Sequence, residues 1–277
     1  MKHFCLSTFL LISLLYTQNI KAETVANGTC GDDCAWSIED GVLNITGTGN
    51  MTDYQRPCDG GCHSTAPWWQ YSSSIQKVSI DEGISSIGYG AFANMRFTQI
   101  DLPQTLQKIS ALAFIGSNLR TIDIPDTVNQ IGSLAFDDNH IEELRIPTSL
   151  TKLESGAFAS NPIHTLVIPE GVTQISPTAF YCQGCSSTQA GRALPLESIY
   201  CSTAQMEQCR AVASYFGEDV KIVEYESIGN SIYVNGKFYQ NANDILTGNY
   251  IKKRIYTIPE AERLSKSTGN KFKIRYQ

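Results

Sequence analysis

An internal repeat of 22 residues constrains the fold of this chain more than any other feature. The dipeptide Ala-Phe recurs at one fixed interval, with its phenylalanine at Phe92, Phe114, Phe136, Phe158 and Phe180. Other apolar columns keep the same phase, for example Ile80, Leu102, Ile124, Ile146 and Ile168. One such unit is too small to fold alone, so the units must stack to bury these columns in a shared core.

Each unit also predicts one short strand. Val78 and Ile80 alternate with polar residues, as the inward side chains of a strand do. Proline follows the same column in four units, at Pro103, Pro125, Pro147 and Pro169. Because proline cannot donate to a parallel ladder, it marks the end of the strand. The period and this strand predict a leucine-rich-repeat solenoid of the α/β horseshoe class, rich in β-structure, with parallel strands from 22-residue repeats.

The consensus of the unit carries a family resemblance. It reads L-x-x-L-x-I-P-x-x-V-x-x-I-x-x-x-A-F and resembles the BspA-like class of leucine-rich repeats of bacterial surface and secreted proteins. The segment around Trp36, residues 43–49 and Trp68 is similar to the leading module of that family. The resemblance implies an exported protein that presents its repeats for adhesion or ligand binding, and it implies no catalytic site.

The N-terminus predicts export. Lys2 and His3 precede an apolar run over residues 4–16, and the small residue Ala22 closes the segment. This pattern is typical of a secretory signal peptide, although an uncleaved anchor is the alternative. No other apolar stretch is long enough to span a bilayer, so we expect no transmembrane segment after cleavage. The predicted location is secreted, cell-surface or periplasmic.

Eight cysteines remain after the signal peptide, in four close pairs: Cys30 and Cys34, Cys58 and Cys62, Cys182 and Cys185, Cys201 and Cys209. An oxidising compartment favours disulfides. Four local bridges are the simplest pairing, but the sequence leaves the connectivity open. A zinc site formed by the last four of these cysteines is the alternative, since four thiolates can close a tetrahedron.

The repeat and its flanks divide the chain into five predicted parts. These are a signal peptide (1–22), an N-terminal cap with a hairpin and disulfides (23–74), five full units with a terminal strand (75–201), a helical C-terminal cap (202–226) and a small basic α+β module (227–277). Asp40-Gly41 and Asn235-Gly236 are hairpin turn signals. The cap helix is expected over residues 203–216 with Ser202 as its N-cap.

Charge is unevenly distributed along the chain. The net charge of -6 argues against a nucleic-acid-binding protein. Residues 250–277 hold eight basic and two acidic residues, whereas the preceding residues carry a net charge of -12. We predict that this basic module docks on an anionic envelope polymer through Lys252, Lys253, Arg254, Lys271, Lys273 and Arg275. A solvated strand face, or packing of the basic face on the acidic repeats, is the alternative.

The sequence predicts a binding protein, neither an enzyme nor a holder of a cofactor or metal. No catalytic or phosphate-binding motif is present, and a metal pair of His140 and His164 is the weaker alternative. Strand faces of repeat proteins bind through their outward side chains. On this face the predicted ligand-binding residues are Asp101, Arg120, Asp123, Arg145 and Tyr200. The expected partner is a protein or an envelope polymer; contact through loops or caps, or a purely structural envelope role, remain open.

Overall fold

The computed structural model describes residues 24–56, 63–181, 196–216, 219–228, 231–235, 237–240 and 242–248, together with Arg263 and Lys266. Several sequence predictions lie outside these residues: the signal peptide, Cys58, Cys62, Cys182, Cys185 and all six predicted envelope-docking residues.

The chain begins with an antiparallel sheet of three strands: β1 (Thr24–Gly31), β2 (Cys34–Glu39) and β3 (Val42–Gly47). Asp40 and Gly41 join β2 to β3, both with positive φ, of 49° and 78°. Two consecutive positive φ angles match the right-handed twist of the strands that the turn joins. The predicted hairpin at this position is therefore confirmed.

Short strands then recur along the repeats. In chain order they are β4 (Gly49–Asn50), β5 (Lys77–Ile80), β6 (Ile84–Ile87), β7 (Gln99–Asp101), β8 (Lys108–Ile109), β9 (Gln130–Ile131), β10 (Lys152–Leu153), β11 (Thr165–Val167), β12 (Gln174–Ile175) and β13 (Ser198–Ser202). After β13 follow a 3₁₀ turn (Thr203–Gln205), α1 (Met206–Ala213), β14 (Lys221–Ile228), β15 (Ser231–Val234), β16 (Lys237–Tyr239) and α2 (Ala242–Thr247).

The repeats form two parallel ladders where the sequence predicts one. The first ladder carries the predicted strands and runs β3-β5-β7, so that the sheet order from the N-terminus is β1-β2-β3-β5-β7. The second ladder runs β4-β6-β8-β9 and resumes as β10-β12. It is built on the apolar column that contains Ile87 and Ile109, whose backbones pair between successive coils. The first and second coils are therefore tied to each other at two places.

The first ladder is interrupted in the third and fourth coils, contrary to the prediction of a strand in every unit. Residues 120–124 form no strand, and the fourth coil contributes only an isolated bridge between Glu143 and Thr165. Buried asparagines bind the backbone where these segments begin. Asn139 Oδ1 accepts the Leu119 N–H at 2.9 Å, and Asn161 Oδ1 accepts the Ile141 N–H at 3.0 Å. Side chains thus satisfy buried backbone groups just before the interrupted segments.

The core is a column of stacked aromatic rings. Phe136 is fully buried, and its ring centroid lies 5.1 Å from that of Phe114 and 5.3 Å from that of Phe158. Trp68 of the N-terminal cap extends the column, with its ring stacked on Phe92 at 5.7 Å and its Nε1 donating to the Ala91 carbonyl at 3.0 Å. The cap thereby continues the core instead of merely covering it.

The C-terminal cap satisfies the backbone of the last coil with glutamine side chains. Gln205 Nε2 donates to the carbonyls of Pro169 and Val172, both at 2.7 Å. Gln208 accepts the Ile175 N–H at 2.6 Å. These bonds replace those that a further coil would make.

The helix of this cap is shorter than predicted. Only residues 206–213 are α-helical, after the 3₁₀ turn. Ser202 precedes that turn, and its N–H donates to Gln205 Oε1 at 3.0 Å.

Two disulfides lie among the described residues. Cys30 is bonded to Cys34 near the first hairpin, and Cys201 to Cys209, which ties β13 to α1. The second bond removes two of the four thiolates that the alternative zinc site requires. Both of its cysteines are buried in the main core.

The C-terminal elements continue the repeat sheet. β14 pairs in parallel with β13 and antiparallel with β15, giving the order β11-β13-β14-β15-β16. The hairpin expected at Asn235 is confirmed by the pairing of β15 with β16. The boundary placed at residues 226 and 227 falls inside β14, so the cap and the hairpin share a strand. Among the described residues, no helix combines the length and apolar character needed to cross a membrane.

Candidate binding groove on the strand face

A groove of about 580 Å³ opens on the outward side of the interrupted ladder. We call it the strand-face groove, and its lining residues are Thr98, Gln99, Ile100, Asp101, Thr121, Ile122, Asp123, Glu143, Arg145 and Leu246. All but the last belong to the second, third and fourth coils. The groove therefore lies where the N-terminal sheet ends at β7 and before the C-terminal sheet begins at β11.

Helix α2 supplies the remaining lining residue from outside the repeats. Ile245 and Leu246 pack against a second apolar cluster, formed by Val167, Tyr225, Val234 and Tyr239. The Tyr225 hydroxyl donates to the Ile168 carbonyl, which fixes this cluster to the fifth coil. Burial raises the pKa of Tyr225, so the hydroxyl stays protonated and remains a donor. The cluster places Leu246 against the groove.

The same cluster corrects two outward positions of the predicted strand face. Val167 is only 1% exposed, and Tyr200 is half-buried against the second cluster. The physical reason is that α2 and the final hairpin cover the outward face of β11, β13 and β14. Tyr200, predicted to bind a ligand, instead packs on the chain itself.

Arg145 lines the groove, but its guanidinium is engaged within the protein. It forms an ion pair with Asp126 and donates to the Ile124 carbonyl at 3.4 Å. Both contacts join the fourth coil to the third, in the region where the ladder is interrupted. Arg145 thus acts as a bridge between coils, which differs from the free hot-spot role predicted for it. Arg120 is exposed and lies outside the groove lining.

Asp126 is the acidic partner of Arg145 in this ion pair. Its Oδ1 accepts the Thr148 N–H at 2.7 Å and the Thr148 hydroxyl at 3.0 Å. Partial burial by itself raises the pKa of Asp126, but the Thr148 hydrogen bonds and the Arg145 charge outweigh it and hold the pKa below its usual value.

This shift gives a pH prediction for Asp126→Asn. The pKa of the Asp126 carboxyl is lower in the folded than in the unfolded chain, where it is about 3.9. The ionised carboxylate therefore stabilises the protein at pH values above about 3.9, and this contribution is lost as the pH falls through the pKa of the folded state. The variant should therefore be less stable than the parent at neutral pH, by less than about 1 kcal/mol because the carboxylate is partly exposed. The difference should decrease as the pH is lowered from neutral through the depressed pKa of Asp126. Urea unfolding over this pH range measures it, and a difference that does not change with pH would contradict the assignment.

The carboxylates of the groove differ in their partners. Asp101 forms an ion pair with Lys77 of the first coil, with 2.6 Å between Nζ and Oδ2. For Asp123 and Glu143, no ion pair or hydrogen bond of the carboxylate is found within the described ranges. Among the described residues, the groove therefore contains two negative charges without an ion-pair partner, on the same lining as the hydroxyls of Thr98 and Thr121.

The structure brings together three of the five predicted ligand-binding residues, Asp101, Asp123 and Arg145. Sequence reasoning missed the other lining residues, most notably Glu143 and Leu246. Glu143 occupies an outward strand position, so the repeat alignment could have found it. Leu246 lies outside the repeat, and its placement depends on the packing of α2, for which the sequence pattern gives no signal.

The described residues contain no cluster of three His, Cys, Asp or Glu side chains suited to a metal ion. Of the two histidines in the alternative metal pair, His140 is half-buried and His164 is exposed.

The comparisons with known proteins agree with the repeat. Residues 68–188 match the BspA type leucine rich repeat region in six copies. The chain thus carries a BspA-type leucine-rich repeat region, which confirms the resemblance seen in the sequence. A region of this kind is consistent with protein–protein interaction. No curated protein sequence matches the chain.

The chain is similar to solved structures of bacterial leucine-rich repeat proteins. One from Eubacterium ventriosum is 22% identical with a TM-score of 0.51, and the match covers 77% of this chain and 48% of that one. The chain thus spans about half the length of that protein. A leucine rich cell surface protein from Faecalibacterium prausnitzii is 16% identical with a TM-score of 0.34, covering 78% of this chain and 61% of that one.

Proposed function

We propose that this protein is an exported, non-enzymatic binding protein that engages a protein partner through the strand-face groove. The observation that carries the proposal is the groove itself, where an outward strand surface coincides with a wall from α2. Its volume of about 580 Å³ is in the usual range for ligand sites. The signal-peptide pattern and the two disulfides support export, and the family resemblance supports adhesion at the cell surface.

The strand face offers a rigid surface for such a partner. Its side chains project from coils that are held together by the aromatic column and, between the second and third coils, by the second ladder. A preformed surface loses little conformational freedom on binding, so more of the contact energy contributes to affinity. The groove is therefore a better candidate than the remaining outward positions, which lack a wall.

A blocking substitution tests this proposal. Thr121 is exposed and lies in the middle of the groove lining, so Thr121→Trp should fill the groove. Thr127→Trp places the same side chain at an exposed position of the same coil outside the lining. Peptides selected on the full chain from a phage library of random linear sequences serve as the probe. We expect Thr121→Trp to lower their affinity at least about tenfold and Thr127→Trp to leave it unchanged. Equal binding by both variants would reject the groove as the binding site.

A further inference from the structure

We propose that the strand-face groove recognises an extended polypeptide segment by placing one of its lysine or arginine side chains between Asp123 and Glu143. This inference rests on the proposed function and adds the chemical class of the ligand.

The charges of the groove favour a cation. Two of its four charged residues, Asp101 and Arg145, already have ion-pair partners in neighbouring coils. Asp123 and Glu143 have none within the described part of the chain, so the net charge left in the groove is negative. A cation placed between Asp123 and Glu143 is attracted by both carboxylates at once, so its binding is favoured over that of a neutral or anionic group.

The positions of the two carboxylates suit a single cationic group. Asp123 and Glu143 stand on adjacent coils and are offset by two residues along the strand direction. At about 4.8 Å between strands and about 3.3 Å per residue, their Cα atoms are about 8 Å apart. An ammonium or guanidinium group between the two side chains can reach both carboxylates, and the Thr121 hydroxyl is on the same surface to accept a further N–H.

The apolar lining distinguishes a basic side chain from other cations. The half-buried Ile100 and Leu246 provide contact for the methylene stem of a lysine or arginine, which prefers apolar surface while its charged end remains polar. None of the lining residues is aromatic, so the groove lacks the cage that recognises quaternary ammonium groups. The absence of aromatic rings from the lining also disfavours a sugar ligand that would stack there.

An extended segment fits the shape of the site better than an isolated amine. The lining spans the second, third and fourth coils, whereas the two carboxylates occupy only the third and fourth. Gln99 and Thr98 lie along the remaining length and can hydrogen-bond to a peptide backbone. One basic side chain then sets the register, and the neighbouring residues of the segment fill the rest of the groove.

The test compares charge variants with a matched control in the full chain. The random peptide library is selected at 150 mM NaCl, and the affinities of synthesised winners are measured by fluorescence polarisation. We expect the winners to be enriched in lysine or arginine. Their affinity should fall about tenfold in the double variant Asp123→Asn and Glu143→Gln. Glu142→Gln, which removes the same charge from the adjacent exposed position outside the lining, should change it less than about twofold.

The outcomes separate this inference from the function on which it rests. Two results would overturn the cation assignment while leaving the groove as a binding site. In both, the selected peptides no longer bind Thr121→Trp; in the first they lack basic residues, and in the second they bind the double charge variant as tightly as the parent. Winners insensitive to Thr121→Trp would overturn both. If basic peptides bind only after residues 249–277 are removed, the groove is occupied by the basic segment of this chain, and a partner segment is rejected.

Discussion

Replacing Phe136 with alanine is expected to lower the free energy of unfolding by about 3 to 5 kcal/mol. Phe136 is at the centre of the aromatic column, fully buried and stacked on the phenylalanines of both neighbouring coils. Its removal deletes apolar contacts to both sides at once and leaves a cavity. Backbone hydrogen bonds flank the ring on both sides, from the Phe114 N–H to the Ala135 carbonyl and from the Phe136 N–H to the Ala157 carbonyl, so the cavity cannot readily collapse.

Urea unfolding followed by circular dichroism measures this loss, and tryptophan fluorescence adds a local readout. All three tryptophans, Trp36, Trp68 and Trp69, belong to the N-terminal cap. In a stack held by nearest-neighbour contacts, a weak central coil uncouples the two halves. The fluorescence transition should then separate from the dichroism transition in the variant, while the two coincide in the parent.

Phe136→Leu provides the matched control because it keeps most of the buried apolar surface. It should cost less than half as much as Phe136→Ala. A loss of under about 1 kcal/mol for the alanine variant would mean that the column contributes little to stability, and that the backbone ladders alone hold the coils together.

Asn139→Ala is expected to cost about 2 to 4 kcal/mol, although Asn139 is polar. Its amide oxygen accepts the Leu119 N–H, and its Nδ2 lies 2.8 Å from the Phe114 carbonyl and 3.0 Å from the Phe136 carbonyl. The residue is only 4% exposed. Alanine would leave these backbone groups buried without partners, which is more costly than the loss of the bonds alone.

The comparison for this variant is Asn129→Ala, ten residues earlier in the same coil. Asn129 is exposed, so the same substitution should change stability by less than about 0.5 kcal/mol. Urea midpoints of the two variants give the difference directly. Similar values for both would show that water replaces the amide of Asn139 in the third coil, contrary to its burial.

Much of the fold could be predicted because its main determinant is local and repeated. The columns of Phe136 and Ile124 require stacking, and the structure buries both completely. The hairpin turns at Asp40 and Asn235 could be predicted because only a few residues adopt the positive φ that such turns need. In these cases a short stretch of sequence is enough to determine the local structure.

Other features depend on contacts that no periodic pattern records. The buried side chains of Asn139 and Asn161 bind backbone groups beside the interrupted ladder, and a lone polar residue in a repeat is equally compatible with an exposed position. The covering of Val167 and Tyr200 requires α2 to fold back over the sheet. The same applies to the groove. The strand positions of Asp101 and Asp123 could be predicted from the repeat, whereas the contact of Leu246 with the groove could not.

The glutamine side chains that end the stack also bear on how such a chain can change in length. Gln205 and Gln208 bind main-chain atoms, and every coil offers the same atoms at this position. Duplication of a whole 22-residue unit in the middle of the repeat would therefore preserve both terminal contacts. It would, however, move α2 one coil further from the second and third coils, so that Leu246 would meet a different set of outward side chains. Gain or loss of one unit would thus leave the architecture intact while exchanging the residues that form the groove.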